Sequence, residues 1–249
     1  MKTVVAKISA ELEQLADEKT RLGSQRFFKE EIRLHGVKSA MVQSIDRTYF
    51  KKIKTHSKEE IFKLCEELWQ TGYFEESIIA CNWACSQSKQ FKPSDFDLFE
   101  RWIDTYITNW ASCDTFCNHT MGAFIELYPH YAHKLKQMAK SDNRWMRRAA
   151  AVSLIVPARK GLFLNDCLEI AELLLNDNDD MVQKGYGWLL KVAADKHQQV
   201  VLNFVLARKE SMPRTALRYA IEKMPAELKA MAMAKPKTRK AVAVRARSL

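Results

Sequence analysis

The sequence predicts an all-α protein, and three observations carry the prediction. Helical periodicity of the apolar residues dominates the 249-residue chain, and no alternating strand pattern of useful length occurs. All six prolines, Pro93, Pro129, Pro157, Pro213, Pro225 and Pro236, fall at boundaries between predicted helices, where a residue without an amide hydrogen is tolerated. Only seven glycines accompany them, too few for the turn density of a β-sandwich or barrel.

Residues 3–17 read as the first helix. Ser57-Lys58-Glu59-Glu60 has the form of a capping box and opens a helix to about Gln70, with Ile61, Leu64, Cys65 and Leu68 on one face. Phe74 to Ser86 reads as its partner. Pro93 and then Ser94-Asp95-Phe96-Asp97 resemble a second capping box that starts the next helix. Further helices are expected over 110–127, 131–140, 143–156, 165–175, 180–194, 196–208, 213–223 and 225–234. Helices of this length, joined by short loops and paired every 35–45 residues, make the pattern of a HEAT-like solenoid. In that curved α-α superhelix each two-helix repeat needs its neighbours to bury its apolar face. An irregular bundle uses the same helices and stays open as an alternative. The expected organisation is one repeat domain over 1–234 and a basic tail over 235–249, where Lys235, Lys237, Arg239, Lys240, Arg245 and Arg247 occur without an acid.

Composition narrows the partner. Hydrophobic residues make up 47% of the chain, enough for a large core. Forty Lys and Arg against thirty Asp and Glu leave a net charge of +10, which favours a polyanion such as nucleic acid. No run approaches the length of a membrane span, and the N-terminal apolar stretch is too short for a signal peptide, so a cytoplasmic protein with reduced cysteines is expected. Cys81-x-x-x-Cys85 and Cys113-x-x-x-Cys117 with His119 lack the tight spacing of a zinc site and read as small core residues. No metal and no small-molecule cofactor is expected.

Three segments carry candidate chemistry. Asp114 is the only acid between Asp104 and Glu126, and Trp110 lies one turn before it on the same helical face. A carboxylate in apolar surroundings is costly unless it is paired or used. In Asn143-Arg144-Trp145-Met146-Arg147-Arg148, Arg148 sits at the edge of the apolar stripe, from which a guanidinium reaches a phosphate or a carboxylate. In the third segment Val182, Tyr186, Leu189, Leu190 and Ala193 define a buried face, and Trp188 points away from it beside Lys184 and Lys191. Gly185 and Gly187 weaken this helix, so something is expected to come close to its surface. The intervals are 38 residues from Trp110 to Arg148 and 40 from Arg148 to Trp188, which places all three at comparable points of successive repeats along one groove.

From about Phe27 to Lys223 the chain resembles the DNA alkylation repair family of HEAT-like-repeat glycosylases, the AlkD type. The resemblance rests on Trp110-x-x-x-Asp114, Trp145-Met146-Arg147-Arg148-Ala149-Ala150, Gly187-Trp188, and the stretch from Phe27-Phe28-Lys29 to Gly36-Val37-Lys38. It implies excision of N3- and N7-alkylated purines from duplex DNA by hydrolysis of the N-glycosidic bond, without a flipped-base pocket. Asp114 matches the catalytic carboxylate, Trp110 and Trp188 the aromatics facing the damaged nucleotide, and Arg148 the family arginine. Phe27 stands where the family often has tyrosine. Phe27, Lys29, Arg144, Arg147, Lys184 and Lys191 are the expected DNA-binding residues, and a monomer is expected. A non-catalytic binder of unusual DNA structures and a helical-repeat protein-interaction scaffold remain as alternatives.

Overall fold

A computed structural model describes residues 3–234, and over these the chain is helical without a β-strand. Thr3 caps α1 (Val4–Gln14) and Asp17 caps α2 (Glu18–Gln25), each accepting a first-turn amide. An extended stretch leads to α3 (Ser39–Ile53). The expected capping box opens α4 (Lys58–Gln70): Ser57 and Glu60 each accept the other's backbone amide. Then follow α5 (Phe74–Ser86), α6 (Asp95–Tyr106), α7 (Trp110–Phe116), a π-helical turn (Cys117–Met121) and α8 (Gly122–Leu127). The series continues with α9 (Ala132–Met138), α10 (Arg144–Val152), α11 (Ile155–Arg159) and α12 (Leu164–Leu173). It closes with α13 (Asp180–Arg208), α14 (Arg214–Ile221) and α15 (Ala226–Met233). The basic stretch 235–249 lies outside the described residues.

Several boundaries differ from expectation for local reasons. The second capping box does not form. Ser94 has helical backbone angles and no capping bond, while Asp95 accepts the amide of Lys92 and pairs with Lys58 at 2.7 Å. The helix expected over 143–156 stops at Val152 and restarts as α11, where Pro157 falls in the first turn and needs no amide partner. The break expected between 194 and 196 appears as non-helical angles at His197 inside α13. Helices α2 and α3 were not anticipated.

Side-chain bonds between neighbouring helix pairs make the repeat visible. Trp83 Nε1 donates to Asp46 across 37 residues, Lys58 to Asp95 across 37, Trp102 Nε1 to Glu66 across 36, and Arg148 to Asp114 across 34. The hydroxyls of Ser77 and Ser112 meet across 35, and His197 meets the carbonyl of Gly161 across 36. Each contact joins one repeat to the next, as a superhelix of stacked pairs requires. Beneath them a continuous apolar core runs from Val5 to Ala232. Its centre is an edge-to-face cluster of Phe62, Phe99, Trp102 and Phe116.

One inter-repeat bond set yields a measurable expectation. Glu66 accepts both terminal nitrogens of Arg101 at 2.6 Å, Trp102 Nε1 at 2.8 Å and the Tyr106 hydroxyl at 2.8 Å. The bond from Arg101, then those from Trp102 and Tyr106, hold its carboxyl at about 2. A lowered carboxyl pKa contributes stability above the unfolded value, here 4.5, and that stability is lost as pH falls toward 2. Glu66→Gln is expected to lower unfolding free energy by about 2 kcal/mol at neutral pH, discounting for the half-exposed Arg101. In urea titrations the gap between variant and wild type should shrink at pH 3; a gap independent of pH would count against the ion pair.

Candidate active site

The site is assembled from the amino ends of helices in successive repeats. Asn109 Oδ1 accepts the Ser112 amide at 2.9 Å and starts α7, which presents Trp110 and, one turn on, Asp114. Asn143 starts α10, which presents Arg148, and Asp179 starts α13, which presents Lys184 and Trp188. The extended stretch between α2 and α3 lies across these ends as a strap. Glu75 anchors it by accepting the amides of His35, Gly36 and Val37 at 3.1, 2.9 and 3.1 Å. Gly36 has φ +85°, and a Cβ there would fall 2.5 Å from the Asp17 carbonyl, so only glycine suits the bend.

Farther along, the strap reaches the candidate residues. The Phe27 carbonyl accepts Trp110 Nε1 at 3.1 Å, and the Phe28 ring stacks on Trp110 with centroids 5.7 Å apart and planes at 27°. These two contacts fix the indole and cover one of its faces. The Phe27 ring is left 74% exposed.

Trp110, Asp114, Arg148 and Trp188 line one cleft of about 420 Å³, as the repeat spacing anticipated, and Phe27 and Lys184 line it with them. Met181 and Tyr219 complete its wall. Neither was singled out in the sequence. Tyr219 follows Trp188 by 31 residues, shorter than the 38–40 of the earlier intervals, and its helix α14 packs on α13. A Cβ on Gly187 would lie 2.7 Å from Tyr219 Cβ and 2.8 Å from the Ala216 carbonyl. The close approach expected at this surface is therefore made by α14 of the same chain.

Asp114 and Arg148 form the floor. Arg148 Nε and Nη2 donate to the two carboxylate oxygens, each at 2.8 Å, and Nη1 donates to the Met181 carbonyl. Arg148 is only 5% exposed. Of the two partners open to it from sequence, phosphate or carboxylate, Arg148 takes the carboxylate. Gly185 makes room for it, since a Cβ there would stand 3.3 Å from Arg148 Cγ. Burial raises the Asp114 carboxyl above its ordinary value, and the bonds and charge of Arg148 oppose the rise. Behind this pair, burial pushes the Cys113 thiol up.

The remaining expected DNA-binding residues are all ion-paired. Lys29 and Lys184 share Asp180 at the rim, at 2.6 and 3.2 Å. Arg144 pairs with Glu30 at 2.5 Å and lies over the Trp145 ring. Arg147 pairs with Asp177 and bonds the carbonyls of Ser141 and Asp142, so it ties off the turn before α10 and does not line the cleft. Lys191 pairs with Glu222 at 2.9 Å, also outside the cleft. Among the described residues no cluster of three or more His, Cys, Asp or Glu side chains gathers as a metal site, and no helix is long and apolar enough to cross a membrane.

The comparisons agree with the fold. The chain is similar to a solved structure described as a predicted DNA alkylation repair enzyme from Enterococcus faecalis, with a TM-score of 0.75 and 17% identity over 85% of this chain and 97% of that one. At that identity the likeness is one of fold. No curated protein matches the chain. The family model described as DNA alkylation repair enzyme matches residues 8–224, which include every residue of the cleft. The chain therefore belongs to the DNA alkylation repair enzyme family.

Proposed function

We propose that the protein is a DNA glycosylase that hydrolyses the N-glycosidic bond of positively charged N3- and N7-alkylpurines in duplex DNA. The observation that carries the reading is the Asp114 carboxylate held by Arg148 at the floor of a cleft walled by Trp110, Trp188, Phe27 and Tyr219. Family membership supports a DNA substrate.

The chemistry follows from charge. An alkylated N3 or N7 makes the base cationic, so it leaves as a neutral base and needs little general acid. As the bond lengthens, positive charge passes to the sugar. A carboxylate fixed nearby stabilises that charge, and its oxygens can orient the attacking water. Arg148 occupies one lone pair on each oxygen and leaves the others for the cleft. Indole faces attract the cationic base before the bond breaks, and one face of Trp110 is already covered by Phe28. Phe27 adds an apolar surface and Lys184 a cation at the rim.

Release of 7-methylguanine from methylated duplex DNA tests the reading, with the rate followed against pH. Since burial holds Asp114 above the ordinary 3.8, the ionised form is lost at a higher pH than for a free aspartate. The acid limb of the profile should lie above 3.8, and Asp114→Asn should remove it. Absence of base release at any pH would sink the proposal and favour a non-catalytic DNA binder.

A further inference from the structure

A second depression, of about 310 Å³, adjoins the cleft across α7. Asn109 and Ser112 face it, whereas Trp110 and Asp114 face the cleft. Phe74 stands between the two, lining the depression while its ring meets Phe28 at 5.5 Å, edge to face. The polar groups here differ from those elsewhere. The cleft contains Asp114, and three further depressions among the described residues contain Asp195, Glu59 with Glu66, Glu67 and Asp95, or Asp177 with Asp179. This one has a cation, Arg33, and no acid.

Three of its lining residues carry N–H groups without a protein acceptor among the described residues. Asn109 is 4% exposed, and its Oδ1 is fixed by the Ser112 amide, which settles the orientation of the carboxamide. Its Nδ2 has no protein acceptor among the described residues. Trp69, in the wall, leaves Nε1 buried without a partner. Arg33 lies 4.2 Å over the Tyr73 ring and bonds the Thr71 carbonyl through Nη1, which leaves most of its five donors unused. The start of α5 borders the same space, and its N-cap Tyr73 supplies no capping side chain. Unpaired N–H donors beside a lone cation suit an anion rich in acceptors.

We propose that this depression binds a phosphodiester of the DNA backbone, and that Arg33 and Asn109 recognise its oxygens. The proposal rests on the reading that duplex DNA lies over the neighbouring cleft. Asn109 precedes Asp114 by five residues, about 7.5 Å along a helix. The phosphate held thus belongs to backbone that passes close to the sugar over Asp114. The site therefore sets the register of the strand over Asp114 and reads no sequence.

The test uses the full chain and an undamaged duplex, with affinity measured by fluorescence anisotropy from about 50 to 200 mM salt. Arg33→Gln removes the exposed cation. Asn109→Asp keeps a good helix cap but replaces the donor with a negative charge. Arg33→Gln should weaken binding about fivefold on any sequence and lower the salt slope by about one, and Asn109→Asp should weaken it at least as much. Thermal melts near wild type should accompany both. Wild-type affinity and slope in both variants would overturn the site while leaving the glycosylase reading intact. A wild-type chain that binds no duplex would overturn both. A titration with inorganic phosphate separates the remaining source: saturation that depends on Arg33, with no change in duplex binding, assigns the depression to a free anion and refutes the DNA assignment.

Discussion

Asp114→Asn is expected to release 7-methylguanine on the order of 10²–10³-fold more slowly than wild type, the scale seen when one preorganised electrostatic group is removed from a reaction centre. The substitution keeps the shape of the side chain and removes its charge. A developing oxocarbenium ion would then face a neutral amide, and the attacking water would lose a strong acceptor. Because the amide offers only one acceptor oxygen to Arg148, one of the two 2.8 Å bonds is also lost. Some loss of stability will follow, about 1–3 kcal/mol for the guanidinium donor left without its partner. The rate must therefore be measured on protein shown to be folded at the assay temperature. Affinity for undamaged duplex should change little, since Asp114 lies at the floor of the cleft. Equal release by wild type and variant would remove Asp114 from the chemistry.

Arg148→Met should produce the largest loss of stability, about 3–5 kcal/mol at neutral pH. Arg148 and Asp114 are both nearly enclosed, and each satisfies the other's charge. Deleting the cation leaves a buried carboxylate with burial alone acting on it, so its pKa rises further and it takes up a proton at a higher pH than in wild type. Base release should fall with it, and the acid limb of the pH profile should move upward relative to wild type. Activity recovered at higher pH would mark Arg148 as a positioning residue that acts through the charge state of Asp114. Arg148→Lys keeps the charge but not the two-pronged bond, and should fall between the two proteins. Pairing Arg148→Met with Asp114→Asn should restore part of the stability, because the orphaned charge is gone. A single Arg148→Met protein that melts like wild type would contradict the ion pair.

Helices were legible where the apolar period and a cap coincided, as at Ser57-Lys58-Glu59-Glu60, whose two reciprocal bonds both form. The same form misled at Ser94, which takes helical backbone angles and makes no capping bond, while its neighbour Asp95 pairs with Lys58, 37 residues away. Helix α2 has no buried residue, so its sequence carries no apolar stripe to read. The intervals of 38 and 40 residues correctly brought Trp110, Arg148 and Trp188 to one cleft. Tyr219 escaped that spacing, and Phe28 sits on an extended strap to which no helical period applies.

By itself the sequence determined the helical class and the sharing of one cleft by Trp110, Asp114, Arg148 and Trp188, since these depend on period and spacing along the chain. The tertiary structure decided the partners. Arg148 turns to Asp114, Trp110 gives its Nε1–H to the Phe27 carbonyl, and the glycines beside Trp188 receive Arg148 and Tyr219. The physical reason is that burial forces a polar group to find a partner within hydrogen-bond reach, and that partner comes from the next repeat or from the strap, distant in sequence.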